Sequence, residues 1–191
     1  MRKPCAMNQT AGSQMQELVG NADRYHHHFD KSAAPRKPRT GVAVVTCLDA
    51  RLNIYGMLGL GEGDAHVIRN AGGVISDDVV RSLAIGQHLL GTSEIMLIMH
   101  DDCGLRTITD SEFADRLQAR TGVRPDWRAL AFTDTSQELR RGLDVLRANP
   151  FLLHSAQIRG FIYNEGAGKL RELQGDATQT FARNPSGGCP N

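Results

Sequence analysis

The apolar residues of this chain fall into short unbroken runs, separated by stretches in which apolar positions recur every three or four residues. Val42–Thr46 is a continuous run with no alternation, which suits a strand covered on both faces, as in a parallel sheet. His66–Arg69, Ile95–Met99 and Ile158–Tyr163 read as three further strands. Helical patterns lie between them. Arg51–Leu60 reads as a short helix ending in the turn Gly59-Leu60-Gly61-Glu62-Gly63. That turn follows a helix and precedes a strand, the wrong order for a dinucleotide fingerprint. Ser76 as N-cap, with Asp77 and Asp78 behind it, opens a helix whose apolar face is Val79, Val80, Leu83, Ala84 and Leu90, closed by Gly91. Asp110 can cap a helix through Arg120 that ends at Gly122. Thr135 with Glu138 predicts a capping box for a helix carrying Leu139, Leu143 and Leu146, stopped at Asn149-Pro150. Gly166-Ala167-Gly168 then turns the fourth strand into Lys169–Leu173, expected as an antiparallel edge strand.

Alternating strands and helices predict an α/β fold. Short right-handed crossovers favour a mostly parallel sheet of order 2-1-3-4, with the antiparallel strand at its edge and helices flanking it. In that order the winding reverses between strands one and three, and ligands bind outside the carboxyl ends of strands at such a switch point. Cys47 ends strand one and His100 ends strand three.

Residues 1–40 are polar, with a His26-His27-His28 run and a basic Pro-rich segment, Ala34–Arg39. They are expected to form an arm and linker, with a short helix over Met15–Tyr25. The domain is expected over 41–173, and residues 174–191, rich in Pro and Gly, as a loose tail. A length of 191 residues suits one domain with a substantial core. A net charge of +1 gives no field that would draw the chain to nucleic acid or to an anionic membrane. No run is apolar enough to span a bilayer, and no signal-peptide core follows Met1-Arg2-Lys3. Of four cysteines, Cys5 and Cys189 lie in polar tails, whereas Cys47 and Cys103 adjoin strand ends. That is a poor disulfide framework and a better metal pair, consistent with a reducing cytoplasm.

The chemistry gathers in two loops. Cys47-x-Asp49-x-Arg51 follows the first strand, and His100-x-x-Cys103 follows the third. Two thiolates and an imidazole suit zinc, and three protein ligands leave a fourth position open, the mark of a catalytic site. Water in that position has its pKa lowered towards about 7. Asp49 can fill the fourth position itself, or it can pair with Arg51 and hold the water. One carboxylate with two resting places is a switch, and it predicts activity that climbs with pH. Asp101 and Asp102 flank the histidine and are read as neighbours of the metal rather than ligands; His66 and His88 are read as core or surface groups.

With Arg69-Asn70-Ala71-Gly72-Gly73 and the Gly104 after Cys103, these motifs resemble the β-class carbonic anhydrases, in their short bacterial branch. The likeness runs from about Gly41 to Leu173. The resemblance implies zinc-dependent, reversible hydration of carbon dioxide to bicarbonate and a proton. One zinc per subunit would be bound by Cys47, His100 and Cys103; Asp49 and Arg51 would form the catalytic dyad, with Asp49 a fourth ligand in the closed form. It also implies homodimers or tetramers of dimers, with the cleft at the subunit interface and an N-terminal helix on the partner chain. Tyr25 and Phe29 are then candidates to reach into that cleft from the partner. Asp101 stands where many members have Ser or Thr, which would add a carboxylate near the metal. Two other readings share the same site: a hydrolase of carbon disulfide or carbonyl sulfide, and a non-catalytic zinc protein.

Overall fold

A computed structural model describes residues 13–27, 29, 35–153 and 156–173. The tail expected over 174–191 lies outside the described residues, as do Cys5, Cys189, Ala34 and His28 of the histidine run. The chain divides into two units, Met1–Ala34 and Pro35–Asn191. In the first, α1 (Gln14–His26) starts at Ser13, whose hydroxyl accepts the amide of Met15 at 3.2 Å. Its apolar residues Met15, Leu18 and Val19 recur at helical spacing and are exposed.

The second unit is a five-stranded sheet of order β2-β1-β3-β4-β5. Its strands are β1 (Val42–Cys47), β2 (Ala65–Asn70), β3 (Glu94–His100), β4 (Gln157–Asn164) and β5 (Lys169–Glu172). The first four run parallel, and β5 pairs antiparallel with β4. The expected order and the antiparallel edge are both present. β1 is an inner strand between β2 and β3 and is covered on both faces: Ala43 through Cys47 are all buried, which is why its sequence shows no alternation.

The helices are α2 (Ile54–Leu58), α3 (Asp77–Leu89), α4 (Asp110–Thr121) and α5 (Thr135–Ala148). Their caps correct two sequence expectations and bear out a third. Asp110 does not cap α4. Thr109 does, its hydroxyl accepting the Glu112 amide while the Glu112 carboxylate accepts the Thr109 amide. Thr135 does not cap α5 either: Asp134 accepts the Gln137 amide at 2.8 Å, and Thr135 is buried in the first turn. Ser76 holds the N-cap position of α3 but makes no capping side-chain hydrogen bond. The helix expected over 51–60 shortens to α2, because the Asn53 side chain caps it at Gly56 and Gly59 ends it in the left-handed region.

Helix α5 packs on β3 and β4 through Leu139, Leu143 and Leu146. The approach is close because the sheet offers a glycine there. A Cβ on Gly160 would meet Leu143 Cδ1 at 2.7 Å and Leu139 Cδ1 at 3.1 Å. Leu139 is fully buried against that bare backbone. We expect Leu139→Ala to leave a cavity costing about 3 kcal/mol, read as a lower urea midpoint with an unchanged slope.

Candidate metal centre

Parallel pairing of β1 and β3 aligns Thr46 with Ile98, so Cys47 and His100 emerge at the same edge of the sheet. Cys103 follows one short turn after His100. The sulfurs of Cys47 and Cys103 and a ring nitrogen of His100 lie within 4.8 Å of one another, and all three residues are buried. Both cysteines are free thiols. The His100 side chain is wholly inaccessible; its Nδ1 contacts the Glu165 carboxylate, and its Nε2 has no hydrogen-bond partner. A buried ring nitrogen without a partner, beside two sulfurs, fits a soft or borderline metal ion.

The loops around this group are tied down. The amide of Gly72 donates to Cys47 Sγ at 3.3 Å. Arg69 donates from Nε to the Cys47 carbonyl at 2.9 Å and from Nη2 to the Asp49 carbonyl at 2.6 Å. Gly73 has a φ of +66°, and a Cβ there would sit 2.9 Å from the Cys47 amide nitrogen. The Arg-Asn-Ala-Gly-Gly segment therefore packs directly against the back of Cys47 and holds it in place.

Asp49 is paired with Arg51. Arg51 donates from Nε to Oδ1 at 3.0 Å and from Nη2 to Oδ2 at 2.7 Å, and its own amide reaches Oδ1 at 2.9 Å. Nη1 of Arg51 also meets the Asp102 carboxylate at 2.7 Å, and Nη2 meets the Asp102 carbonyl at 2.8 Å. Asp102 is thus a partner of the guanidinium. The Asp101 carboxylate accepts from the Asn164 amide at 3.1 Å and is not part of the sulfur–imidazole group. His66 Nδ1 lies 3.1 Å from the Thr92 hydroxyl, and exposed His88 lies 3.0 Å from the Phe151 carbonyl. Tyr25 and Phe29 belong to the first unit, where their rings pair at 5.7 Å.

Sequence reasoning missed Glu165. Its Oε1 contacts His100 Nδ1 and accepts the Asp102 amide at 3.3 Å. The signal was three-dimensional: β4 pairs with β3 so that Tyr163 lies opposite His100, and the turn after β4 reaches the same edge.

Charges in the site are set by these contacts. A hydrogen bond from Cys103 is the largest influence on the Cys47 thiol and holds it well below its ordinary value, while the same bond and burial raise Cys103. The pair therefore carries one negative charge readily. Burial pushes His100 down, but the neighbouring Cys47 sulfur and Glu165 carboxylate push it up and prevail. The Arg51 guanidinium holds the Asp49 carboxyl well below the usual carboxylate range.

A buried two-cysteine, one-histidine group at the switch point of a parallel sheet defines an α/β protein able to hold a metal at its strand ends. The family model described as carbonic anhydrase matches residues 42–141. β-Carbonic anhydrase 1 of Mycobacterium tuberculosis is 48% identical over 156 residues, 82% of this chain and 94% of that protein. A carbon disulfide hydrolase of Acidianus is 30% identical over 154 residues, 68% of this chain and 75% of that protein. The crystal structure of carbonic anhydrase from Streptococcus mutans superposes with a TM-score of 0.80 at 39% identity, covering 85% of this chain and 98% of that one. The chain belongs to the β-class carbonic anhydrases.

Gly73→Ala should cost about 2 kcal/mol or more, because it combines a left-handed φ with a backbone clash. It should also displace Cys47. Urea unfolding of the metal-free protein and metal content per chain measure the two effects separately.

Proposed function

We propose that this protein catalyses the reversible hydration of carbon dioxide to bicarbonate and a proton, with one zinc ion per subunit held by Cys47, His100 and Cys103. The observation that carries the reading is the buried sulfur–imidazole group, with its unpartnered His100 Nε2, next to a doubly hydrogen-bonded Asp49–Arg51 pair. When bound, zinc supplies a Lewis acid that makes hydroxide available near neutral pH.

The chain's own residues do the rest. Arg51 grips both oxygens of Asp49, so the carboxylate keeps one orientation and stays ionised through neutrality. In that orientation Asp49 would accept a hydrogen bond from the attacking hydroxide without taking its proton, leaving the hydroxide's lone pair aimed at the carbon of the substrate. Released from Arg51, Asp49 is an anionic ligand that would take the fourth position and close the site. The bidentate pairing supports the open form as the resting one.

Two features support a homo-oligomer. α1 carries an exposed apolar stripe of Met15, Leu18 and Val19. The second unit has its own apolar groove of about 900 Å³ beside α3, where Leu89 and Phe151 are exposed. Exposed apolar surface on this scale suits a partner chain. The free thiols fit the cytoplasm, and no helix among the described residues is long and apolar enough to cross a membrane.

The relatives also include carbon disulfide hydrolases, and parallel assays on carbon dioxide, carbonyl sulfide and carbon disulfide discriminate. The higher identity to the mycobacterial carbonic anhydrase favours carbon dioxide.

Purified protein is expected to carry one zinc per chain. Its carbon dioxide hydration rate should climb between about pH 6 and about pH 9, since Asp49 is already ionised there and hydroxide supply is what increases. A flat profile would contradict the reading, and no hydration at alkaline pH with full zinc would indicate a non-catalytic protein. Cys47→Ala and Cys103→Ala should lose zinc and activity together. Asp49→Ala should keep most of its zinc while activity falls by at least about a hundredfold, measured by stopped-flow hydration beside metal analysis.

A further inference from the structure

Glu165 lies outside every motif that drew attention in the sequence, yet it meets the histidine, the loop after it and the guanidinium of Arg51. It follows β4 directly, at the start of the turn into β5. That turn is fixed from two sides. The Asn164 side-chain oxygen Oδ1 accepts the Ala167 amide at 2.7 Å, and its side-chain Nδ2 donates to the Asp101 carboxylate at 3.1 Å. The Glu165 side chain is mostly buried, with 14% of its surface exposed. One oxygen, Oε1, meets three groups: His100 Nδ1, the Asp102 amide at 3.3 Å, and Arg51 Nη2 at 3.9 Å.

A neutral imidazole offers a metal one lone pair. It offers that of Nε2 only when Nδ1 carries the proton, and the partner of Nδ1 decides this. A carboxylate accepting from Nδ1 favours that tautomer, fixes the ring and raises the donor strength of the other nitrogen. Here the other nitrogen is the buried, unpartnered Nε2 beside the two sulfurs. The geometry points to Glu165 as the positioning residue that sets the tautomer and ring orientation of His100 for the metal. Through its approach to Arg51, the same carboxylate ties the histidine to the guanidinium that holds Asp49.

This role rests on the zinc reading above, and the test separates the two. Zinc affinity is measured by competition with a chromophoric chelator, with no reliance on turnover. Glu165→Ala should weaken zinc binding about 10- to 100-fold. Glu165→Gln retains an oxygen that accepts from Nδ1 and should recover part of the loss, remaining about 3- to 10-fold weaker than wild type. The visible absorption of the cobalt-loaded Ala variant should also shift, which a general loss of stability would not cause. Wild-type affinity in the Ala variant, or a Gln variant no better than Ala, overturns the proposal while leaving zinc itself in place. Wild type that takes up no zinc overturns both. Should the Ala variant fail to fold, the Gln variant decides alone, and wild-type affinity in it overturns the role.

Discussion

The structure depends on a polar group that the fold buries and leaves without a protein partner. Nε2 of His100 sits at zero exposure beside two cysteine sulfurs. Leaving such a group unsatisfied in the interior costs about 1–3 kcal/mol. Its surroundings are built to tolerate this. β1 and β3 run parallel and end at one edge, so the group is assembled by backbone register rather than by flexible side chains. Cys47 is fixed from behind by Gly72, Gly73 and Arg69, and His100 is fixed at its other nitrogen by Glu165. A metal ion is the partner that this arrangement fits.

Most of the fold was legible because β1 and β3 are compact apolar runs and the helices between the strands carry their own stops. The strand order followed from connection handedness, and the switch point then singled out Cys47 and His100 before any contact was known. Helix starts were legible only to within a residue. At Thr109-Asp110 and at Asp134-Thr135 two capable caps stand side by side, and sequence alone does not say which one faces the free amides. Asp49 and Arg51 are two residues apart, so their pairing was within reach of the chain, although the alternative seat for Asp49 was equally open. Glu165 was invisible for a different reason. A single glutamate in a turn carries no pattern, and its meaning comes only from the β3–β4 register that places it beside His100.

The acidic loop Asp101-Asp102 shows how position overrides composition. Both carboxylates adjoin the histidine in sequence, and Asp101 was the one expected to add negative charge near a metal. Asp101 instead accepts from Asn164, and Asp102 accepts from Arg51. The second contact bears on the dyad proposed for Asp49 and Arg51. Arg51 is held by the Asp102 side chain and carbonyl as well as by Asp49. If Asp49 swings away, the guanidinium keeps two partners and need not move. Under the proposed function, opening and closing would then reduce to the motion of one short carboxylate against a fixed cation, and the balance between the two forms would rest on what Asp49 gains at each seat. Asp49 would leave a pairing with two side-chain hydrogen bonds and a backbone amide for a single bond to the metal. Charge-assisted bidentate pairs are among the stronger hydrogen bonds in proteins, so under the proposed function closure would have to be favoured by the metal's own charge, against the two bonds that Arg51 makes to Asp49.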